Sequence, residues 1–379
     1  MVKIVVACHP TQGGSGIVAT ELATAMARRG HEVHLAAWTR PYRLASNSPV
    51  IFHEIELFEY PLFRCPPYDF SLANRLAGII EQHDIDIIHA HYAIPHAIVA
   101  HLAREVAGSQ RTAILTTLHG TDITLVGSHH EFFRLTRHAM IASDGLTAVS
   151  RWLCDQTMER FHLPDPPEMI PNFVDPEHFH PRGRARYPEA GEPFHFVHAS
   201  NLRPVKRIAD VVRAFCDVQK EIPARLTILG EGPEKGLAEV LVEQFGLQQK
   251  VTFTSTANDI AEVMRSAHMN LLLSEYESFG VSALEGMACG TPCAASRSGG
   301  LREVIDDGRT GLLCPVADIG CTVQRILAVL RDRASWEAMS AAAAESAHRR
   351  FGLEVVVPQY EALYERLMAK RAKRAEAGR

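Results

Sequence analysis

Glu277-Ser-Phe-Gly-Val-Ser-Ala-Leu-Glu285 runs directly into Gly286-Met-Ala-Cys-Gly290-Thr-Pro292 and follows Met269-Asn-Leu-Leu-Leu-Ser274. The apolar run after Met269 reads as a buried strand, Phe279-Gly280 as a turn and Val281 onward as a helix. A strand, a turn and a helix N-terminus in that order make an anion site, because first-turn N–H groups lack partners within the helix. The N–H groups of Phe279, Gly280 and Val281 are the candidates. Glu277 lies at the turn and Glu285 two helical turns further on. Each carboxylate can accept hydrogen bonds from sugar hydroxyls. Paired carboxylates around a sugar also equip glycosidases. The anion-binding turn between these two favours a phosphorylated sugar.

Outward from this stretch, strand-like and helix-like segments alternate to both ends of the chain, the pattern of parallel βαβ units. Strands are predicted at 2–8, 32–38, 51–58, 85–90, 112–118 and 145–149, then at 194–200, 225–229, 250–254, 269–273 and 292–296. Helices are predicted at 16–29, 70–82, 95–107 and 150–161, then beginning near Lys206, Pro233, Ala257, Val281 and Leu301, with further helices at 318–331 and 334–350. A chain of 379 residues exceeds the size at which one core usually divides. Leu163-Pro-Asp-Pro-Pro-Glu reads as a linker. The expected organisation is two Rossmann-like α/β domains, 1–164 and 165–353, facing a central cleft. A helix over 354–379 is expected to pack back toward the first domain and end in a frayed, charged tail.

Composition excludes several classes. A formal net charge of -5 argues against nucleic-acid binding. No apolar run is long enough to span a bilayer, so no membrane partner is expected. The N-terminal Met-Val-Lys-Ile-Val-Val-Ala-Cys is strand-like, leads into a glycine loop and is too short for a signal peptide. The eight cysteines show no C-x-x-C spacing. Cys8, Cys289 and Cys293 sit among apolar or small residues, as buried thiols do. A reducing cytoplasm fits this usage.

Thr11-Gln-Gly13-Gly14-Ser15-Gly16 separates the first strand from the first helix. Glycines allow close backbone approach, and the helix dipole favours an anion. The same residues fit a dinucleotide fingerprint. That reading expects an acidic residue ending the second strand, where the sequence has Ala36-Ala-Trp38-Thr-Arg40. An NADP site using Arg40 and a purely structural turn both remain open. In the second half, Ser200-Asn201-Leu-Arg203-Pro-Val-Lys206-Arg207 follows a strand and opens a helix. Cations there oppose the helix dipole unless an anion sits between them. Arg203 can fork onto phosphate oxygens and Lys206 adds a point charge, enough to neutralise a diphosphate without a metal. His89-Ala-His91-Tyr92 is a poor metal set, with no Cys or carboxylate cluster beside it. Thr116-Thr117-Leu-His119-Gly-Thr-Asp122 follows a strand. It offers His119 to a bound sugar, with Asp122 orienting it.

The E-x7-E spacing, the Phe-Gly step and the Ala-Cys-Gly-Thr-Pro tail resemble the retaining glycosyltransferases of family 4, which have the GT-B fold. The blocks Gly13–Leu22, Phe52-His-Glu54, Pro66-Pro-Tyr68-Asp69, His89–His96 and Thr116–Thr124 narrow the resemblance. They match the branch that moves N-acetylglucosamine from UDP-N-acetylglucosamine to L-malate in bacillithiol biosynthesis. The resemblance implies that Gly14, Arg203, Lys206, Glu277, Phe279, Gly280, Val281 and Glu285 bind the donor, with Glu285 on the ribose and Glu277 on the sugar. It implies that Ser15, Tyr92, Thr116, Thr117 and Asn201 serve the acceptor. His119, Asp122, Arg203, Lys206 and Glu277 are implied in catalysis, with no cofactor and no metal. A homodimer is left open. One departure is Ser255-Thr256-Ala257, where the branch has a Gly-Lys-Gln-like turn near the base. Gly286 replaces a usual Ala, at about 1 kcal/mol of helix propensity. A related GT-B enzyme with another acceptor, a sugar-nucleotide epimerase, and a non-catalytic nucleotide-sugar sensor stay open as alternatives. Release of UDP that depends on malate would separate them.

Overall fold

The computed structural model describes residues 1–11, 13–58, 67–255 and 259–377, with no side chain described beyond residue 373. Gln12, Pro66, Thr256 and Ala257, all named above, lie outside the described residues. The chain forms two units. Met1–Pro171 joins Val356–Arg379, and Asn172–Val355 stands as the second.

In the first unit the strands are β1 Lys3–Ala7, β2 Glu32–Ala37, β3 Ile51–Glu54, β4 Ile87–His91, β5 Ala113–Leu118, β6 Gly145–Ala148 and β7 Glu168–Met169. They pair in the order β3-β2-β1-β4-β5-β6-β7, every pairing parallel. Every residue of β4 and β5 is buried, because helices cover both faces of a parallel sheet. In the second unit β8 Phe194–Ala199, β9 Ala224–Leu229, β10 Val251–Thr254, β11 Met269–Leu272, β12 Cys293–Ser296 and β13 Gly311–Cys314 pair as β10-β9-β8-β11-β12-β13. Both sheets therefore read 3-2-1-4-5-6 from one edge. Each has a switch point, β1 beside β4 and β8 beside β11, where loops at the carboxyl ends part and leave room for a ligand. Among the described residues no helix is long and apolar enough to cross a membrane.

Several elements differ from expectation. The strand predicted at 51–58 ends at Glu54. The proline-rich stretch at 163–168 is not the passage between units. Thr147 and Ala148 pair with Glu168 and Met169, so the sheet gains a strand first, and the chain crosses after Pro171. The helix expected from Lys206 starts at Ile208, because Pro204–Lys206 forms a 3-10 turn and Arg207 takes φ 51. The strand Gly311–Cys314 and the helix Phe133–Ala142 were not predicted. The first has too few residues to show a period, and the second breaks its apolar pattern with Arg134, Arg137 and His138. Gly286 allows close packing, since a Cβ there would sit 3.3 Å from Asn270 Nδ2. Asn270 in turn donates to the Ser282 carbonyl at 3.0 Å.

The last helix, Leu353–Ala377, belongs to the first unit from Val356 onward. Tyr360 and Tyr364 are fully buried there. The Tyr364 hydroxyl pairs with His89 Nδ1 at 2.8 Å, and Glu361 accepts two bonds from Arg29 at 3.0 Å. Tyr364→Phe leaves the buried His89 nitrogen unpartnered, which costs about 1–3 kcal/mol. Urea unfolding of the full chain should show that loss, and an unchanged midpoint would contradict the assignment.

Candidate active site

The second unit builds its site from the ends of β8 and β11. After β8 the chain turns through Asn201 and Leu202 to Arg203, and the 3-10 turn then aims Lys206 across to the neighbouring loop. Lys206 Nζ donates to Glu277 Oε1 at 2.6 Å, and Ser274 Oγ donates to the same oxygen at 2.8 Å. The Glu275 N–H donates to the Val205 carbonyl at 2.8 Å, tying the two loops through backbone as well. The ion pair is mostly shielded, with side-chain exposures of 19% and 12%. Arg203 is half-buried, and among the described residues its guanidinium has no hydrogen bond or ion pair. With Lys206 neutralised by Glu277, the local excess positive charge rests on Arg203. The side-chain oxygen of Asn201 is also buried and without a partner.

Gly280 takes φ 98 at the start of the helix Val281–Ala288, and no side chain caps that helix. A Cβ on Gly280 would come 2.5 Å from Leu301 Cδ2. Phe279 is buried and Val281 opens the first turn, so the N–H groups expected to face an anion do lie on a helix N-terminus. Glu285 is buried on that helix.

Glycines wall this site, and sequence reasoning missed them. A Cβ on Gly299 would lie 2.0 Å from the Glu277 carbonyl oxygen, and one on Gly300 would lie 2.3 Å from that of Ser278. Gly230 and Gly232 press equally on the carbonyls of Ser200 and Asn201, at 1.8 Å and 2.0 Å. Ser274 and His198 were also missed. His198 Nδ1 pairs with the Leu271 carbonyl and Nε2 with Ser200 Oγ, both at 2.8 Å, locking β8 to β11 beneath the site. Each missed glycine follows a strand, as Gly13–Gly16 do, and that placement was the available signal.

The first unit places the N-terminal glycine loop at its own switch point. Gly13 caps the helix Gly14–Arg28, no side chain caps the first turn, and no acidic residue sits in it. Gly16 is required, since a Cβ there would lie 2.3 Å from the His9 carbonyl oxygen. Ser15 Oγ donates to the Tyr92 hydroxyl at 3.0 Å, joining the loops after β1 and β4. Tyr92 is held at φ 91, a left-handed conformation that side chains rarely adopt. His9 packs against Trp38, Tyr92 and His96 with ring centroids 4.4–5.6 Å apart.

Asp122 is turned into the protein. It is buried and accepts N–H bonds from His119 (3.2 Å), Gly120 (2.8 Å) and Ala93 (3.0 Å), so it shapes the loop that carries His119. His119 Nε2 pairs with His91 Nδ1 at 2.9 Å. Thr116 and Thr117 are fully buried, and both hydroxyls have partners. Thr116 bonds Ser143 at 2.8 Å, and Thr117 bonds Thr147 and His89 at 2.7 Å each. Both His89 nitrogens are occupied, by Tyr364 and Thr117, so a metal at His89 is disfavoured by geometry. Arg40 reaches back to the carbonyls of Leu44 and Ala45, which removes the cation the NADP reading needed.

Two parallel sheets of this order, an uncapped helix N-terminus at each switch point, and a cation–carboxylate pair beside a free arginine define a GT-B glycosyltransferase. Residues 12–178 match the model described as Glycosyltransferase Family 4, and residues 181–346 match Glycosyl transferases group 1. The chain belongs to this glycosyltransferase family. It is 40% identical over 367 residues to the N-acetyl-alpha-D-glucosaminyl L-malate synthase of Bacillus anthracis, covering 96% of each chain. It is 25% identical over 314 residues to the putative glycosyltransferase EpsD of Bacillus subtilis, covering 78% and 79%. Among solved structures, the sucrose-phosphate synthase of Thermosynechococcus elongatus superposes with a TM-score of 0.79 at 22% identity, covering 98% and 100%. Anabaena HepE in complex with UDP and glucose gives 0.78 at 19% identity, covering 96% and 100%. These last two likenesses concern the fold.

Burial pushes the imidazoles of His89, His96 and His119 down to about 3, and pushes the Asp122 carboxyl up to about 6. For each histidine the unfolded chain binds the extra proton, so stability is full above the ordinary value of 6.5 and is lost as pH falls toward 3. Asp122 has the opposite sign, since its raised value favours the folded state at low pH and that benefit is lost as pH rises through 6. The three histidines outweigh one carboxyl. Acidification below pH 6.5 should therefore destabilise the first unit, by up to about 1.4 kcal/mol per pH unit for each histidine. Urea midpoints across that range test this, and His119→Asn should flatten the slope. A midpoint that rises on acidification would contradict the sign.

Proposed function

We propose that this glycosyltransferase moves N-acetylglucosamine from UDP-N-acetylglucosamine to the hydroxyl of L-malate with retention of the α configuration, the first step of bacillithiol biosynthesis. The observation that carries this reading is the 40% identity to the malate synthase across 96% of both chains. Arg203 receives the donor diphosphate as the unmatched cation, and Lys206 shifts toward it as Glu277 turns to the sugar. The N–H groups of Phe279, Gly280 and Val281 hold the anion, and Glu285 holds the ribose hydroxyls. Ser15, Tyr92 and the uncapped turn at Gly14 hold the malate carboxylates, with Asn201 offering its amide. Thr116 and Thr117 support that pocket from within, and direct contact requires each to exchange a present bond. His119 faces the transferred sugar on a loop shaped by Asp122. The malate oxygen bonds to the anomeric carbon on the face from which the diphosphate departs. Its proton passes to a donor phosphate oxygen, and UDP leaves. The cations at Arg203 and Lys206 stabilise that leaving charge without a metal.

Arg203→Ala should lower kcat/KM by at least about tenfold, because a charged hydrogen bond to the diphosphate is worth about 1.5–3 kcal/mol. Turnover should persist in excess EDTA. Loss of activity in chelator, restored by Mg2+ or Mn2+, would refute the metal-free step. Glu285→Gln should weaken UDP binding measured by calorimetry, whereas Glu277→Gln should mainly lower turnover.

A pocket built for two carboxylates leaves donors unpaired when one carboxylate is missing. UDP release should therefore be driven strongly by L-malate, weakly by lactate or glycerate, and little by D-malate. Ser15→Ala and Tyr92→Phe should raise the malate KM while UDP affinity holds. Equal turnover with a neutral sugar acceptor would leave only the general glycosyltransferase reading.

A further inference from the structure

At the amino end of the first sheet, opposite the loops described above, Glu32 and His34 lie on β2 two residues apart and so share a face. His83, in the last turn of the helix Tyr68–His83, comes over them. Glu32 Oε1 is 3.2 Å from His34 Nε2 and 3.7 Å from His83 Nδ1, and the three donor atoms lie within 4.8 Å of one another. Zn–N and Zn–O bonds of about 2.0–2.2 Å in a tetrahedron put neighbouring ligand atoms about 3.3–3.5 Å apart. The spacing here meets that requirement after shifts smaller than a bond length.

Two further features match a metal centre. His34 is fully buried, and its other nitrogen, Nδ1, pairs with His53 Nε2 at 2.8 Å. His34 Nε2, the nitrogen left to a cation, already lies 3.2 Å from Glu32 Oε1, so the two donor atoms converge on one point. A partner on the second ring nitrogen is the usual means of fixing a ligating histidine. His83 and Glu32 are about one-third exposed, which gives an ion a route from solvent and a water the fourth position. Lys3 reaches the other oxygen of Glu32 at 3.9 Å, so that oxygen is engaged while Oε1 faces the imidazoles.

We infer that Glu32, His34 and His83 form a site for one borderline divalent cation of the Zn2+ type, with His53 as the outer partner that orients His34. The site clamps the start of β2 to the end of the helix Tyr68–His83 and stands apart from the glycosyl-transfer residues. Two imidazoles and one carboxylate select Zn2+ or Co2+ over Mg2+ or Ca2+, which take oxygen ligands.

The test uses the full chain, stripped by chelator and dialysed, then titrated with Zn2+ in competition with a coloured chelator. The wild type should bind one equivalent with micromolar or tighter affinity. His83→Ala and Glu32→Gln should each weaken binding at least about tenfold, and His53→Phe by about tenfold. Co2+ should give visible absorption bands in the wild type that His83→Ala abolishes. Zn2+ should raise the melting temperature of the wild type and not of His83→Ala. Far-UV circular dichroism checks that each variant is folded, and Glu32→Gln serves if His83→Ala is not. Absence of stoichiometric binding overturns the site, as does binding that both ligand substitutions leave within threefold of wild type.

Discussion

Lys206 and Glu277 lie 71 residues apart in the chain and 2.6 Å apart in the fold. Their meeting depends on the strand order, which brings β8 and β11 side by side although β9 and β10 lie between them in sequence. A partly shielded pair attracts more strongly than one in water, because less solvent lies between the charges. It fixes where the two loops end, and the Ser274 hydroxyl and the Glu275–Val205 backbone bond hold the same geometry from either side. Because the pair is internally neutral, the local excess of positive charge lies on Arg203. Site shape and site charge thus follow from one contact.

The first unit solves a different problem with different means. Its switch point is lined by imidazoles that burial keeps neutral. His91 and His119 are stacked 5.1 Å apart, and His96 Nδ1 bonds the His91 carbonyl at 2.7 Å. Neutral rings order the loops through hydrogen bonds without adding fixed charge. Asp122 gathers three N–H groups for the same purpose. The first turn beginning at Gly14 stays without a side-chain cap, beside the hydroxyls of Ser15 and Tyr92.

Most of the fold was legible because fully buried parallel strands leave near-continuous apolar runs, as in Val5-Val6-Ala7 or Leu271-Leu272. The strand Gly311–Cys314 escaped because four residues between Thr310 and Pro315 carry no period. The Glu277 and Glu285 pair was legible because both fall within one strand–turn–helix unit. The bond from Lys206 was not, since it joins segments whose adjacency only the sheet order creates. Thr116 and Thr117 show a related limit. In a strand covered on both faces, the pattern does not say which hydroxyls stay inside the layers. The grouping of Glu32 and His34 with His83 was hidden for the same reason, one partner arriving from a distant helix end.

Gly230, Gly232, Gly299 and Gly300 bring main chain against main chain around the site at the ends of β8 and β11, where any side-chain carbon would collide with a carbonyl oxygen. The walls are therefore made of backbone, and a side chain such as Glu231, between Gly230 and Gly232, is carried on a fixed frame. Such a frame tolerates changes in what is displayed but not in what supports it. Over evolutionary time the lining can change while the cradle keeps its dimensions. One scaffold can in this way be retuned by substitution alone, with no insertion or rearrangement of the chain.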